Sequence, residues 1–431
     1  MRGIRILTTV MLLIVATTTW AQTAYNTIVS NRNFSASNYC VYPDSLDKKL
    51  TPPPPGMHPF YLSHYGRHGS RYLSNRIAYD TPYQMLCKAD SMGLLTELGK
   101  QVKQQLQDIT SDSEGRWGDL TDIGKQQLKQ IARRMTEHFP EIFEGQANIQ
   151  ARSTTINRCE MSMGTTLQQL IAINPKLNID MNASKRDLWY LNYQDRQLRD
   201  SMKSKRAKSV YDIYTKPRET NPRLMKLLFT NPEALDKSIS DKWLNYYLLK
   251  TALILQNTHV KYDTLLIDLF TQEDIYKFWQ AENAWWYIQH GGSLLNGGHL
   301  PYTQRNLLRK FISEADSCIR LRSPGAQLRF GHETVLLPLV CLLGINGFDL
   351  QTANLEELEP KGWWAGLVFP MASNIQFVFY RRNRFDSDVV FKVLLNEQEA
   401  TLPIETDMAP YYHWRDFRKH YLKMIDDYEK R

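Results

Sequence analysis

Apolar positions bunch into short runs near both ends of the chain and spread to helical spacing between them. The run FYLSHY (60–65), led in by the stiff TPPPP segment at 51–55, predicts a strand. NIQARS (148–153) and AQLRF (326–330) predict two more, and NIQFVFYRR (374–382) and VVFKVLL (389–395) a further pair whose apolar residues alternate or run together. Residues 95–109 and 121–139 place apolar positions at helical intervals with Gln and Lys between them, while 157–172 and the buried, apolar 334–343 also read as helices. Strands alternating with helices predict an α/β fold built on a mostly parallel sheet flanked by helices. From 180 to 300, polar helical stretches and aromatic clusters such as AENAWWY (281–287) replace the strand signals, which predicts an inserted, mostly helical cap domain. The expected core is therefore discontinuous, with a first part at 22–179 and a second at 301–431.

The first 21 residues change the picture before any chemistry does. Arg2 and Arg5, an apolar stretch from Ile6 to Val15 and the exit Thr19-Trp20-Ala21 fit a cleavable signal peptide, and so a secreted or periplasmic protein. Gln22, not a cysteine, follows the expected cut, which argues against a lipid anchor, and no later run approaches the roughly 18 apolar residues of a membrane span. Five scattered cysteines are too few for a disulfide-dependent scaffold and lack zinc-ligand spacing, although one or two bridges are compatible with export. The net charge of +8 falls to +6 once Arg2 and Arg5 leave. That diffuse excess suits a small anionic substrate and is too weak to argue for nucleic acid or a membrane surface.

The chemistry concentrates where predicted strands end. FYLSHY runs into Arg67, His68, Gly69 and Arg71, AQLRF runs into Gly331, His332 and Glu333, and NIQARS leads to Arg158 at the start of the next helix. Cationic groups so close repel one another unless an anion sits among them. In open α/β sheets ligands bind beyond the carboxyl ends of strands, and a helix start adds to the field on an anion. Guanidinium forks match phosphate oxygens. A histidine with one ring nitrogen held by a hydrogen bond can attack phosphorus with the other, and a carboxylic acid can protonate the leaving oxygen. Those roles fall on His68 as nucleophile, on Arg67, Arg71, Arg158 and His332 as phosphate ligands, and on Glu333 as proton donor. The scheme asks for a cationic His332 and a protonated Glu333, hence activity at acidic pH. It needs no metal or other cofactor, because the guanidinium groups supply the positive charge.

These islands, RHGSR, RSTTINR and GHET, resemble the signatures of the histidine acid phosphatase branch of the histidine phosphatase superfamily, as does GDLTDIG (118–124). The resemblance implies a phosphoglycerate-mutase-like core and a phosphohistidine intermediate. Within the branch, RHGSRY, the FGH segment followed by LLPL, PMASNIQFVFY (370–380) and VLLNEQEATLP (393–403) look most like multiple inositol polyphosphate phosphatases, which implies phytate-like substrates. Two positions depart from the pattern. Leu73 stands where the branch has proline, and Glu333 stands where the wider branch has Asp, with Thr334 where the subgroup's His-Ala-Glu has its Glu.

Other candidates have plainer readings. His64 and His68 sit on one face of the same strand, roughly 13 Å apart, too far to share an ion. Arg152 reads as a strand-end structural residue, and the basic stretch Lys185–Lys208 as a solvated helix face that could instead cradle further phosphates. His290-Gly291-Gly292 and Gly297-Gly298-His299 read as turns, with pocket wall as the other role. Two rival functions stay open on the sequence: a phosphatase for simpler monoesters such as sugar phosphates, and a polyanion-binding module with weak chemistry. The oligomeric state is not encoded legibly.

Overall fold

The computed structural model describes residues 24–43, 49–193, 195–260 and 265–431; the expected signal peptide lies outside them. Eight strands form one sheet: β1 (His58–Arg67), β2 (Asn148–Ser153), β3 (Asn178–Ala183), β4 (Gly325–Gly331), β5 (Asn374–Arg381), β6 (Val390–Leu395), β7 (Gln398–Ala400) and β8 (Tyr412–His413). The longer helices are α1 (Ile77–Ser91), α2 (Glu97–Ser113), α3 (Asp122–His138), α4 (Asn157–Ile173), α5 (Asp241–Ile254), α6 (Gln272–His290), α7 (Arg305–Cys318), α8 (Glu333–Leu343) and α9 (Trp414–Glu429). The predicted strands and helices are present within a few residues of their expected bounds.

The strand order is β3-β2-β4-β1-β5-β6-β7, with β8 pairing β6. β3, β2, β4 and β1 run parallel, each reached by helical crossovers, whereas β5 joins β1 antiparallel and the remaining strands continue antiparallel. The β6–β7 connection is a two-residue turn at Asn396 and Glu397, with φ of 51° and 63°, the geometry that matches strand twist in a tight hairpin.

Strand alternation explains the two cores. Tyr61, Tyr65, Ile375, Phe377, Phe379, Phe391 and Val393 face one side of the sheet, where they pack with α7, α8 and α9. Leu62, Ile149, Ala151, Leu328, Val378, Val390 and Leu394 face the other and meet α3 and α4. Burial on both faces is why these strands read as near-continuous apolar runs.

A third core is helical and draws on more of the chain than residues 180–300. Ala24, Ile28 and Cys40, then Leu86, Val102 and Leu106 of α1 and α2, pack with Leu224, Leu248, Ile275 and Trp279. Conversely, Tyr190, Leu191, Trp286 and Tyr287 pack into the core above the sheet, and β3 runs across the expected boundary at 179/180. All five cysteines are free, four of them buried. Among the described residues, no helix is long and apolar enough to cross a membrane.

Candidate active site

The sheet register brings the three islands together. Arg67, the last residue of β1, pairs with Gly331, the last of β4, and Ser153 at the end of β2 pairs with Phe330. The three strands thus terminate side by side and in the same direction. Beyond them, His68 donates its backbone N–H to the Gly331 carbonyl at 3.1 Å, and Thr154 donates to Phe330 O at 3.1 Å.

The loop after β1 is held by the GDLTDIG segment. Thr121 caps α3 by accepting from Gly124 N at 3.2 Å, and its hydroxyl donates to Ser70 O at 3.1 Å. Ser70 N in turn donates to Gln127 Oε1 at 3.0 Å. Glycine is required where the two backbones touch: a Cβ on Gly69 would lie 2.6 Å from Gly124 O, and one on Gly124 would lie 2.3 Å from Ser70 O. Two further bonds tie the loop to the helical part of the molecule. Ser70 Oγ donates to Asn257 Oδ1 at 2.7 Å, and Asn257 Nδ2 donates to Tyr39 O at 2.7 Å.

His68 is fully buried, and its Nδ1 lies 3.0 Å from Gly69 O. A carbonyl only accepts, so Nδ1 carries the hydrogen and Nε2 presents its lone pair. Nε2 lies 3.5 Å from Glu333 Oε2. Arg67, also fully buried, donates Nη1 to Asn38 O at 2.7 Å and Phe369 O at 2.6 Å, and Nε to Glu333 Oε2 at 3.1 Å. Arg71 donates Nη1 to Tyr72 O at 2.8 Å and brings Nη2 to 3.8 Å from Glu333 Oε1. Arg158, in the first turn of α4, is the most open of the three arginines and acts electrostatically on Arg67, His332 and Glu333. Arg67 Nη2, Arg71 Nε and Arg158 Nε are buried and find no acceptor among the described residues. Three buried charged donors left open around one histidine describe a cup for an anion.

His332 caps α8, its Nε2 lying 3.2 Å from Thr154 Oγ1 and its ring 5.9 Å from that of His68. Gly331 before it leaves room for the Tyr65 hydroxyl, which a Cβ would approach to 2.0 Å and which accepts the His332 backbone N–H at 3.2 Å. Glu333 opens α8, where a negative charge suits the helix start. The structure therefore gathers Arg67, His68, Arg71, Arg158, His332 and Glu333 around one point.

The charge states differ from those expected for His332 and Glu333. Burial lowers the His332 pKa to about 4, with Arg158, Arg67 and Arg71 adding to the effect against the pull of Glu333. Burial would raise the Glu333 pKa, but the Arg67 and Arg71 guanidinium groups outweigh it and hold the carboxyl well below its usual range. Burial likewise keeps His68 neutral and pushes Arg67 down to about 10. Without an anion, the cup thus holds a carboxylate and two neutral imidazoles rather than an acid and an imidazolium. The cause is the density of guanidinium charge in a dry site.

Ligand atoms of His68, His332 and Glu333 lie within 4.8 Å of one another, close enough for a cation. Two guanidinium groups on the same carboxylate make it an anion's site instead. His64 stands apart, packed on Phe330 and lowered to about 3 by burial. Arg152 bonds Asp180 across β2 and β3, a structural role as expected. In the basic stretch, Lys203 and Lys208 pair with Asp200 and Asp212 on the exposed surface. His290 packs against Trp286 and feels the Glu333 charge, whereas His299 packs against Tyr428.

Sequence reasoning missed Asn38, Tyr39 and Thr154. Thr154 lies inside RSTTINR, so the motif itself carried the signal. Asn38 and Tyr39 come from a segment upstream of β1 with no motif, and only the folded chain shows Asn38 donating to Glu333 Oε1 at 3.2 Å and Arg71 lying over the Tyr39 ring at 5.5 Å.

Known proteins share this architecture. A multiple inositol polyphosphate phosphatase from Bifidobacterium longum, solved with phosphate, superposes with a TM-score of 0.75 at 18% identity, over 90% of this chain and 97% of that one. The phytase from D. castellii gives a TM-score of 0.66 at 13% identity, over 91% and 85% of the two chains. In sequence, multiple inositol polyphosphate phosphatase 1 of Homo sapiens is 22% identical over 330 residues, 72% of this chain and 66%, just under two thirds, of the human protein's length. The model of the histidine phosphatase superfamily (branch 2) matches residues 66–396, from the end of β1 through β6, and the chain belongs to that superfamily.

Proposed function

We propose that the protein is a phosphomonoester hydrolase that works through a phosphohistidine and removes phosphates from inositol polyphosphates such as phytate. The observation that carries the chemistry is the His68 lone pair, fixed by Gly69 O, facing three guanidinium groups with open donors. A substrate phosphate held by Arg67, Arg71, Arg158 and His332 would meet Nε2 in line with its ester bond. The N–P bond forms as the P–O bond breaks, and Glu333 gives the leaving oxygen its proton. Water then attacks phosphorus, the N–P bond breaks, and the Glu333 carboxylate takes the water's proton. His68 needs no deprotonation for this, since burial already keeps it neutral.

The Glu333 proton enters with the substrate. A bound phosphate offsets the guanidinium charge that depresses the carboxyl, and a phosphate monoanion, abundant below its second pKa of about 6, brings a proton with it. Acidic pH favours turnover for that reason. Beside the cup lies a cavity of about 510 Å³ that shares Asn38 and Tyr39 with it and is walled by Trp285, by Arg218, Lys242 and Lys250, and by Glu219 and Glu282, with Lys242 paired to Glu219. Lys250 Nζ sits 5.5 Å from the centroid of the Tyr39 ring, as does the Arg71 guanidinium carbon, so the two cations lie at most about 11 Å apart. A second cation within that limit of the cup supports a polyphosphorylated substrate. The leader-like first 21 residues support export to the periplasm or medium.

A rapid-quench experiment with radiolabelled phytate tests the reading. Acid-labile, base-stable label on the wild-type chain and none on His68→Ala is the expected result; turnover of glucose phosphates exceeding that of phytate in kcat/KM would remove the inositol assignment.

A further inference from the structure

Asn38 touches two parts of the catalytic cup at once. Its main-chain carbonyl accepts Arg67 Nη1 at 2.7 Å, and its side chain donates Nδ2 to Glu333 Oε1 at 3.2 Å. It is 7% exposed and 295 residues from Glu333 in the sequence. The preceding residue, Ser37, has φ 52° and ψ −116°, a left-handed backbone for a residue with a Cβ, and that bend directs Asn38 into the cup. Strain of this kind persists where surrounding bonds enforce it. Here Cys40 N bonds Ser37 O, Met371 N bonds Cys40 O, and Asn257 holds Tyr39 O.

The two Glu333 oxygens have different company. Oε2 lies 3.1 Å from Arg67 Nε and 3.5 Å from His68 Nε2; Oε1 accepts from Asn38 and lies 3.8 Å from Arg71 Nη2. We propose that Asn38 is a positioning residue for the general acid: its amide N–H holds Oε1 and so fixes the orientation of the carboxyl, keeping Oε2 on the side of His68 Nε2, where the leaving oxygen must receive its proton. The inference rests on Glu333 being the proton donor. It also accounts for the longer side chain at a position where the wider branch has Asp. The extra methylene carries the carboxyl to the segment upstream of β1, and that segment supplies the bond that orients it.

Two variants remove the contact while keeping the main-chain carbonyl: Asn38→Leu, similar in volume, and Asn38→Ser, too short to reach. The readout is the ratio of kcat/KM for an alkyl phosphate, glycerol phosphate, to that for dinitrophenyl phosphate, whose leaving group needs no proton. With hydrogen bonds to charged groups as the scale, the ratio should fall about tenfold or more in both variants. The basic limb of the alkyl pH profile should also move upward, because the lost donor had favoured the carboxylate. An unchanged ratio, whether or not both rates drop together, would overturn the proposal, since a purely structural role moves both substrates alike. Glu333→Gln separates the two levels: if it lowers the ratio and neither Asn38 variant does, only the Asn38 assignment is wrong. An unchanged ratio in Glu333→Gln would refute the acid assignment beneath it.

Discussion

An enzyme expected to work in acid should, without a bound anion, lose stability as the solution turns acidic. Burial lowers the pKa of His64 to about 3 and those of His332 and His290 to about 4, and holds His68 well below its ordinary 6.5. Below pH 6.5 the unfolded chain therefore takes up protons on these four rings that the folded chain refuses, so stability falls with falling pH. Each ring costs about 1.36 kcal/mol per pH unit once well below 6.5, or roughly 1.5 to 2 kcal/mol between pH 6.5 and 5. Four rings together approach about 6 to 8 kcal/mol, a large part of the total for a typical domain. Glu333, with its lowered pKa, has not begun to lose its contribution in that window. Phosphate in the cup binds only the folded state and makes a protonated His332 easier to hold, so it should stabilise more at pH 5 than at pH 7. Urea unfolding at both pH values, with and without saturating phosphate, measures this. Equal midpoints at pH 7 and pH 5 without phosphate, or the same gain from phosphate at both, would refute the assignment of buried neutral rings.

Further substitutions probe the scaffold and the cavity. Gly124→Ala puts a methyl 2.3 Å from Ser70 O and should cost about 1 to 3 kcal/mol in urea unfolding, with kcat falling as the catalytic loop shifts. Tyr65→Phe leaves the buried His332 N–H without its acceptor and should cost about 1 to 3 kcal/mol by the same assay. Lys250→Met should raise KM for phytate severalfold while changing KM for glycerol phosphate little, as steady-state kinetics would show. EDTA should leave kcat/KM unchanged, and a loss restored by a divalent ion would mean that His68, His332 and Glu333 hold a cation.

The parts of the site that sequence made legible are those joined to a strand end. Arg67, His68 and Glu333 each stand within three residues of the end of an apolar run, and parallel strands deliver such ends to one edge. β3 was illegible because NIDMNA is a sheet-edge strand with polar, mostly exposed positions, so burial imposed no apolar pattern on it. The antiparallel direction of β5 and β6 was equally hidden, since alternation reports which faces are buried but not strand polarity. Helices α1 and α2 carry ordinary amphipathic spacing, and nothing in it says which neighbour covers the apolar stripe. Charge states failed for a related reason: letters show which groups are present, while the pKa of His332 depends on how much water the fold removes. Asn38 left no trace because a single amide upstream of a proline-rich lead-in has no periodicity to betray it.

The stitch from Ser70 through Asn257 to the Tyr39 carbonyl couples the reactive loop to the helical core. Parting that core from the sheet would either carry the imidazole's loop along or sever both bonds, about 1 to 3 kcal/mol between them. Packing faults far from the sheet thus have a route by which to misplace the nucleophile.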